Sequence, residues 1–216
     1  LKPEKKTLGS IYAIGLPAIV MHILTPIMSY ALNLILGAIS VSAVTAYGVY
    51  YKLQNFIFMP GYGLNNASIP IISYNFGAKN KARVSQTIRY GILYVSVIML
   101  IGIVLLQLFA RQIVGIFSVT EESHQLCVLA LRIITCGFFF AGANIILQGV
   151  CQALGKGGYS LVISLLRFVV LVLPLAWALS LTESAADLVW LSLPVAEAGA
   201  CLAAVLLTRK TYRKVI

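Results

Sequence analysis

Apolar positions in this chain fall in blocks of about twenty residues or more. Between the blocks lie short stretches where lysine, arginine, glycine or acidic residues gather. Blocks of that length match the ~20 residues a helix needs to cross a ~30 Å hydrocarbon layer. The pattern predicts six spans, at about 8–39, 43–76, 88–109, 125–154, 159–181 and 185–207. At about 1.5 Å rise per residue, the first two are longer than the layer and must tilt, bend or protrude. Pro17 and Pro26 in the first and Pro60 and Pro70 in the second favour bending. The pattern therefore predicts one all-α, six-helix transmembrane bundle over residues 1–216, with no soluble domain or long linker.

The second span is the least like a plain anchor. Between Phe58 and Ala78 it holds Pro60, Pro70, Asn65, Asn66, Asn75 and three glycines, and Lys79, Lys81 and Arg83 follow at once. An amide left unpaired in hydrocarbon costs a few kcal/mol. Such residues belong where a helix faces protein or a water-filled cavity, so this segment reads as the lining of a pathway.

Composition agrees. The chain is 60% hydrophobic and 10% charged, with a mean hydropathy of +0.95, against roughly 25% charged residues in soluble domains. The net charge of +10 does not point to nucleic acid, because the cations sit in the short segments between apolar blocks. Alternate segments place twelve Lys and Arg on one side, around Lys2, Lys5, Lys6, Lys79, Lys81, Arg83, Arg89, Lys156 and the C-terminal cluster. Only Arg111 falls on the other. The positive-inside rule then puts both termini in the cytoplasm. Arg111–His124 is the one sizeable outer loop expected. Cys127, Cys136, Cys151 and Cys201 lie in apolar blocks without paired spacing, which fits small buried residues rather than a metal site or disulfides. Phosphate-loop, zinc-hydrolase and serine-hydrolase motifs are missing from the sequence, so the expectation is not an enzyme and no cofactor. In the sixth span Ala196, Ala200 and Ala204 repeat every fourth residue, a ridge that permits close helix approach.

Four ionisable residues fall inside spans: Lys52, Arg132, Arg167 and Glu197. Each costs about 2.5–3.5 kcal/mol on insertion scales and needs a partner or water. Lys52 and Arg132 enter from the outer side, where long side chains can snorkel. Glu197 lies about twelve residues from either end of its helix, ~16–18 Å deep, and its short stem cannot reach an interface. It is the leading candidate for ion coupling, with Arg167 and Arg132 as possible partners. Two roles stay open for it: a carboxyl that takes and releases a proton, or a fixed strut paired with an arginine. Lys52, Gln54, Asn65, Asn66, Asn144 and Gln148 are the candidate substrate-path residues, and Gln148 and Gln152 share one helix face.

The run Pro60–Pro70 followed by Tyr74-Asn75-Phe76-Gly77-Ala78 and a basic loop resembles the second helix of a lobe in the multidrug and toxic compound extrusion (MATE) family. Ile14-Gly-Leu-Pro17 resembles that family's lobe-starting helix, and Gln148–Gly155 its fourth. The likeness covers nearly the whole chain and is closest to the bacterial MepA-like branch. It implies one six-helix lobe, here the C-terminal one, of a twelve-helix, two-lobe transporter in the bacterial cell (inner) membrane. Such transporters expel drug-like organic cations in exchange for protons or sodium. The partners it implies are the bilayer, an N-terminal six-helix lobe and small-molecule substrates, and the chain would be part of a longer sequence. Sodium-coupled relatives carry acids on the first and fourth helices of this lobe. Here those spans offer His22, Asn33, Asn144, Gln148 and Arg132, which points to a proton rather than sodium. Two other readings stand beside drug export: a flippase for anionic lipid-linked precursors, favoured by three intramembrane cations, and a non-transporting membrane scaffold or assembly subunit.

Overall fold

The structure is a computed structural model that describes residues 5–215. Lys2 lies outside the described residues, as do the side chains of Lys5, Lys6, Pro17, Arg213 and Lys214. Every regular element among the described residues is helical.

Helix α1 (Lys5–Ile39) and helix α2 (Val41–Gly77) are divided by one residue, Ser40. Its backbone is extended (φ −168°, ψ 159°) and its Oγ accepts the Ala43 N–H at 3.0 Å, so a serine N-cap ends one helix and starts the next. Pro60 and Pro70 both lie inside α2, which runs on to Gly77. There Lys79 takes a left-handed φ of 56°, and Asn80 accepts the Arg83 N–H at 3.1 Å to cap α3 (Lys81–Gly115). Helix α3 is irregular at Phe109 but continues to Gly115, and α4 (Glu121–Thr135) already begins at Glu121. The outer loop expected over Arg111–His124 is thus only residues 116–120. The helix starts early because Thr120 caps it and Glu121 and Glu122 sit at its positive end.

A sharp bend falls in the fourth span: α4 and α5 (Phe138–Ala153) meet at 49°. Gly137 sits in the break, where a β-carbon would lie 2.7 Å from the Pro194 Cα. Only glycine lets the sixth span approach this closely. The break leaves carbonyls at the end of α4 without helical partners. Gln107 of α3 supplies one, its Nε2 donating to the Arg132 carbonyl at 2.8 Å and to Thr135 Oγ1 at 3.0 Å. Gln107→Leu strips both bonds from a half-buried site. It is expected to destabilise the fold by ~1–3 kcal/mol, read as a lower midpoint in detergent denaturation.

The fifth span is α6 (Gly157–Leu165), a π-helical stretch over Leu166–Leu171, and α7 (Val172–Ser180). Pro174 has no N–H for the Val170 carbonyl four residues back and its ring crowds that oxygen, and the widened turn before it accommodates both effects. The sixth span is α8 (Ala185–Leu188), a 3₁₀ turn over Val189–Leu191, and α9 (Ser192–Val215).

Helix α2 lies against α3, α4 and α5, α5 also against α9, and α1 against α6 and α7. The Ala196, Ala200 and Ala204 ridge is fully buried on α9, the helix that α5 contacts most extensively. Helix α3 is apolar on both faces. Val95, Met99 and Leu106 are buried, while Leu93, Val97, Leu100, Ile101, Val104 and Leu108 are exposed. A helix apolar all round with one face outward suits hydrocarbon rather than water. Four helical stretches are long and apolar enough to cross a membrane: Ile19–Ile39, Lys81–Gly115, Gly157–Ser180 and Ala185–Tyr212. The bent α4–α5 pair makes a fifth.

Candidate functional site

One polar cavity of about 470 Å³ opens between α1, α2, α5 and the π-helical stretch of the fifth span. Each wall derives from an element already described. Helix α2 contributes Asn65 and Asn66 from its proline- and glycine-rich segment, with Tyr51 and Tyr62. Gln148 and Gln152 come from one face of α5, and His22 and Thr25 from α1. Arg167 and Phe168 come from the π-helical stretch. Such widened turns re-aim side chains and recur at functional sites.

Arg167 is 3% exposed, and its charge is answered from behind the cavity wall. Its Nε donates to Glu197 Oε1 at 2.6 Å, the only salt bridge among the described residues. Its guanidinium carbon lies 4.7 Å from the centre of the Phe168 ring, within cation–π range. The second carboxylate oxygen of Glu197 accepts from Asn144 Nδ2 at 2.9 Å, and the same amide donates to the Glu197 carbonyl at 3.0 Å. Asn144 is fully buried. Three helical segments thus meet at one carboxylate, which receives a charged donor on one oxygen and a neutral donor on the other. Tyr50, Tyr62 and Cys201 are further titratable side chains near the pair.

Around the cavity the amides are incompletely satisfied. Gln148 Oε1 accepts from Ser164 Oγ at 3.3 Å and Gln152 Nε2 donates to Ser160 Oγ at 3.1 Å. Gln148 Nε2, Asn65 Oδ1 and Asn144 Oδ1 are buried without a protein partner. Two of these three belong to cavity-lining residues, and uncommitted polar groups are what a wet or ligand-binding wall presents.

The residues singled out from the sequence divide accordingly. Arg167, Glu197 and Asn144 form one network, and Asn65, Asn66 and Gln148 line the cavity beside it. Lys52, Gln54 and Arg132 do not join them. Lys52 is exposed, with its ammonium 5.8 Å over the Phe117 ring at the far end of α3. Arg132 is exposed in the last turn of α4, where a cation suits the negative helix end. The bend after Thr135 separates it from Asn144. Gln54 is half-buried and lines no part of the cavity. Tyr51, Tyr62, Thr25, Ser164 and Phe168 line it although sequence reasoning did not select them, because aromatic and hydroxyl residues in apolar blocks look like ordinary core. Their spacing relative to Asn65, Gln148 and Arg167 was the one available signal.

The sequence pattern of the MatE family matches residues 17–178. The chain belongs to the MatE family. Among its MatE relatives, the multidrug export protein MepA of Staphylococcus aureus is 28% identical over 206 residues, which is 95% of this chain and 45% of that protein. MepA of Staphylococcus saprophyticus is 29% identical over 207 residues, again 45% of its length. The fold superposes on the crystal structure of the Vibrio cholerae MATE transporter VcmN in the bent form with a TM-score of 0.91 and 23% identity, covering 99% of this chain and 48% of that one. This chain therefore spans about half the length of the MatE proteins it matches, and corresponds to one lobe of their fold.

Proposed function

We propose that this chain is the second six-helix lobe of a multidrug exporter that exchanges drug-like organic cations for protons, working with an N-terminal six-helix lobe across the cell membrane. Helix α2 would be the sixth crossing, its polar segment turned to the cavity, with both termini on the cytoplasmic side. The observation that carries the reading is the buried Arg167–Glu197 pair, with Arg167 on the cavity wall and Glu197 held by Asn144 behind it.

With Glu197 ionised the pair is neutral as a whole, and a cation can enter. Protonation of Glu197 cancels the carboxylate and leaves the Arg167 charge uncompensated at the cavity surface. At ~8 Å and an effective dielectric of ~20, that charge opposes a bound monovalent cation by about 2 kcal/mol, roughly a thirtyfold loss of affinity. Proton and organic cation then exclude one another, which is the requirement for exchange. Two of the three intramembrane cations considered from the sequence stand away from the cavity, and the third is neutralised, so the wall does not favour an anionic lipid-linked precursor.

The test is uptake of a cationic dye into vesicles containing the two-lobe protein. An acid-inside pH gradient is expected to drive accumulation, while a sodium gradient at equal pH leaves it unchanged. Accumulation driven by sodium alone would overturn proton coupling, and no accumulation under either gradient would favour the scaffold reading.

A further inference from the structure

A second concavity lies on the opposite side of α5 from the polar cavity. Asn144 and Gln148 point toward the pair and the cavity, whereas Ala143 and Leu147 face a groove of about 640 Å³ between α3, α5 and α9. Its rim is formed by Arg89 and Ser85 in the early turns of α3 and by Arg209 and Tyr212 near the end of α9. Its walls are Ile88, Ile92, Leu147 and Val205. Both arginines are exposed, and neither is paired with an acid among the described residues.

Among the described residues no acid lies within reach along the fold. Glu121 and Glu122 begin α4, beyond the other end of the 35-residue α3, and Glu183 and Asp187 precede the 24-residue α9. Glu197 is held by Arg167. This end of the bundle instead carries Lys79, Lys81, Arg83 and Lys210. Two uncompensated guanidiniums at the mouth of an apolar channel have a specific complement: a phosphate joined to hydrocarbon. A soluble anion would use the rim and leave the channel wet. A zwitterionic lipid would bring its own cation against the arginines.

We infer that this groove is a binding site for an anionic glycerophospholipid, with the phosphate between Arg89 and Arg209 and one acyl chain along Ile92, Leu147 and Val205. Arginine suits this role because its fork of donors can hold a phosphate through two bonds. Basic recesses between membrane helices at the cytoplasmic level attract such headgroups. A lipid seated there links the start of α3 to the end of α9 and lies against the back of α5, the helix whose other face carries Asn144 and Gln148.

The purified protein in neutral detergent, stripped of native lipid, provides the test. Phosphatidylglycerol and phosphatidylcholine of identical acyl chains are added and retained lipid is counted by native mass spectrometry. One phosphatidylglycerol more than phosphatidylcholine is expected to survive. Arg89→Gln with Arg209→Gln should lower its retention at least tenfold, while the charge-matched Lys81→Gln with Arg83→Gln should leave it intact. Ile92→Trp, which fills the channel and keeps both arginines, should also release it. Equal retention of the two lipids would overturn the site, as would equal loss in the charge-matched control, which would mean a diffuse field. Retention unaffected by Ile92→Trp, or full competition by inorganic phosphate, would reduce it to a soluble-anion site and equally overturn the lipid assignment.

Discussion

Glu197→Gln is expected to weaken binding of a cationic dye about thirtyfold at neutral pH and to make that binding insensitive to pH. Under the proposed coupling, a proton on Glu197 would uncover the Arg167 charge at the cavity wall, so the wild-type protein should lose dye affinity on acidification. The glutamine holds the site permanently in the uncovered state. The magnitude follows from one unit charge at ~8 Å in an effective dielectric of ~20, about 2 kcal/mol. Removing one partner of a buried pair also costs about 3–5 kcal/mol of stability, because the remaining ion is left without compensation. The single variant should therefore be less stable as well as uncoupled. Arg167→Met combined with Glu197→Leu removes both charges, and replacing a buried pair by apolar groups is often neutral or stabilising. The double variant should recover a near-wild-type unfolding midpoint while its dye binding stays independent of pH. Dye titrations at several pH values and denaturation of all three proteins separate the two roles left open for Glu197. If the double variant is as unstable as the single one, the pair is not the energetic unit described. If Glu197→Gln keeps wild-type pH dependence, another group couples the proton.

The all-helical character of the apolar blocks was legible in the sequence, and direction around each helix was not. Hydropathy marked Glu197 as a charge inside an apolar block, and the caps at Ser40, Asn80 and Thr120 are residue types that announce a helix start. Which arginine meets Glu197 depends on rotation. The π-helical stretch turns Arg167 toward α9, and a one-residue change of helical phase cannot be read from an apolar block. The α4–α5 bend was hidden for another reason. Gly137 needs to be glycine because Pro194, fifty-seven positions later, occupies the space a side chain would fill. That constraint exists only in three dimensions, and it also removes Arg132 from the site. The early start of α4 was obscured because residues 121–124 are polar, so hydropathy assigned them to a loop.

The same kind of constraint fixes the cavity wall where α2 crosses α5. Gly149 is buried, and a β-carbon there would fall inside the Asn65 side-chain amide, 2.8 Å from its Cγ. With the Asn65 amide in this place, position 149 has no room for a side chain. Gly149→Ala must therefore displace Asn65 or push the helices apart, and overpacking of this kind costs about 1–3 kcal/mol. Asn65→Ala should be close to neutral for stability, since it removes a buried amide whose Oδ1 has no protein partner. The two changes are not independent. With Asn65 already cut back, the alanine at position 149 has room, so the double variant should sit near Asn65→Ala alone. The coupling energy expected is about 1–2 kcal/mol, at the level found for residues in direct contact. Denaturation midpoints of the four proteins measure it. Additive effects would show that Gly149 and Asn65 do not share this space. Dye binding adds a second distinction. Gly149→Ala and Asn65→Ala should both weaken it, the first by moving the amide and the second by removing it. The double variant should recover stability without recovering affinity, which identifies Asn65 as a polar group of the wall whose place is kept by a missing side chain on the helix opposite.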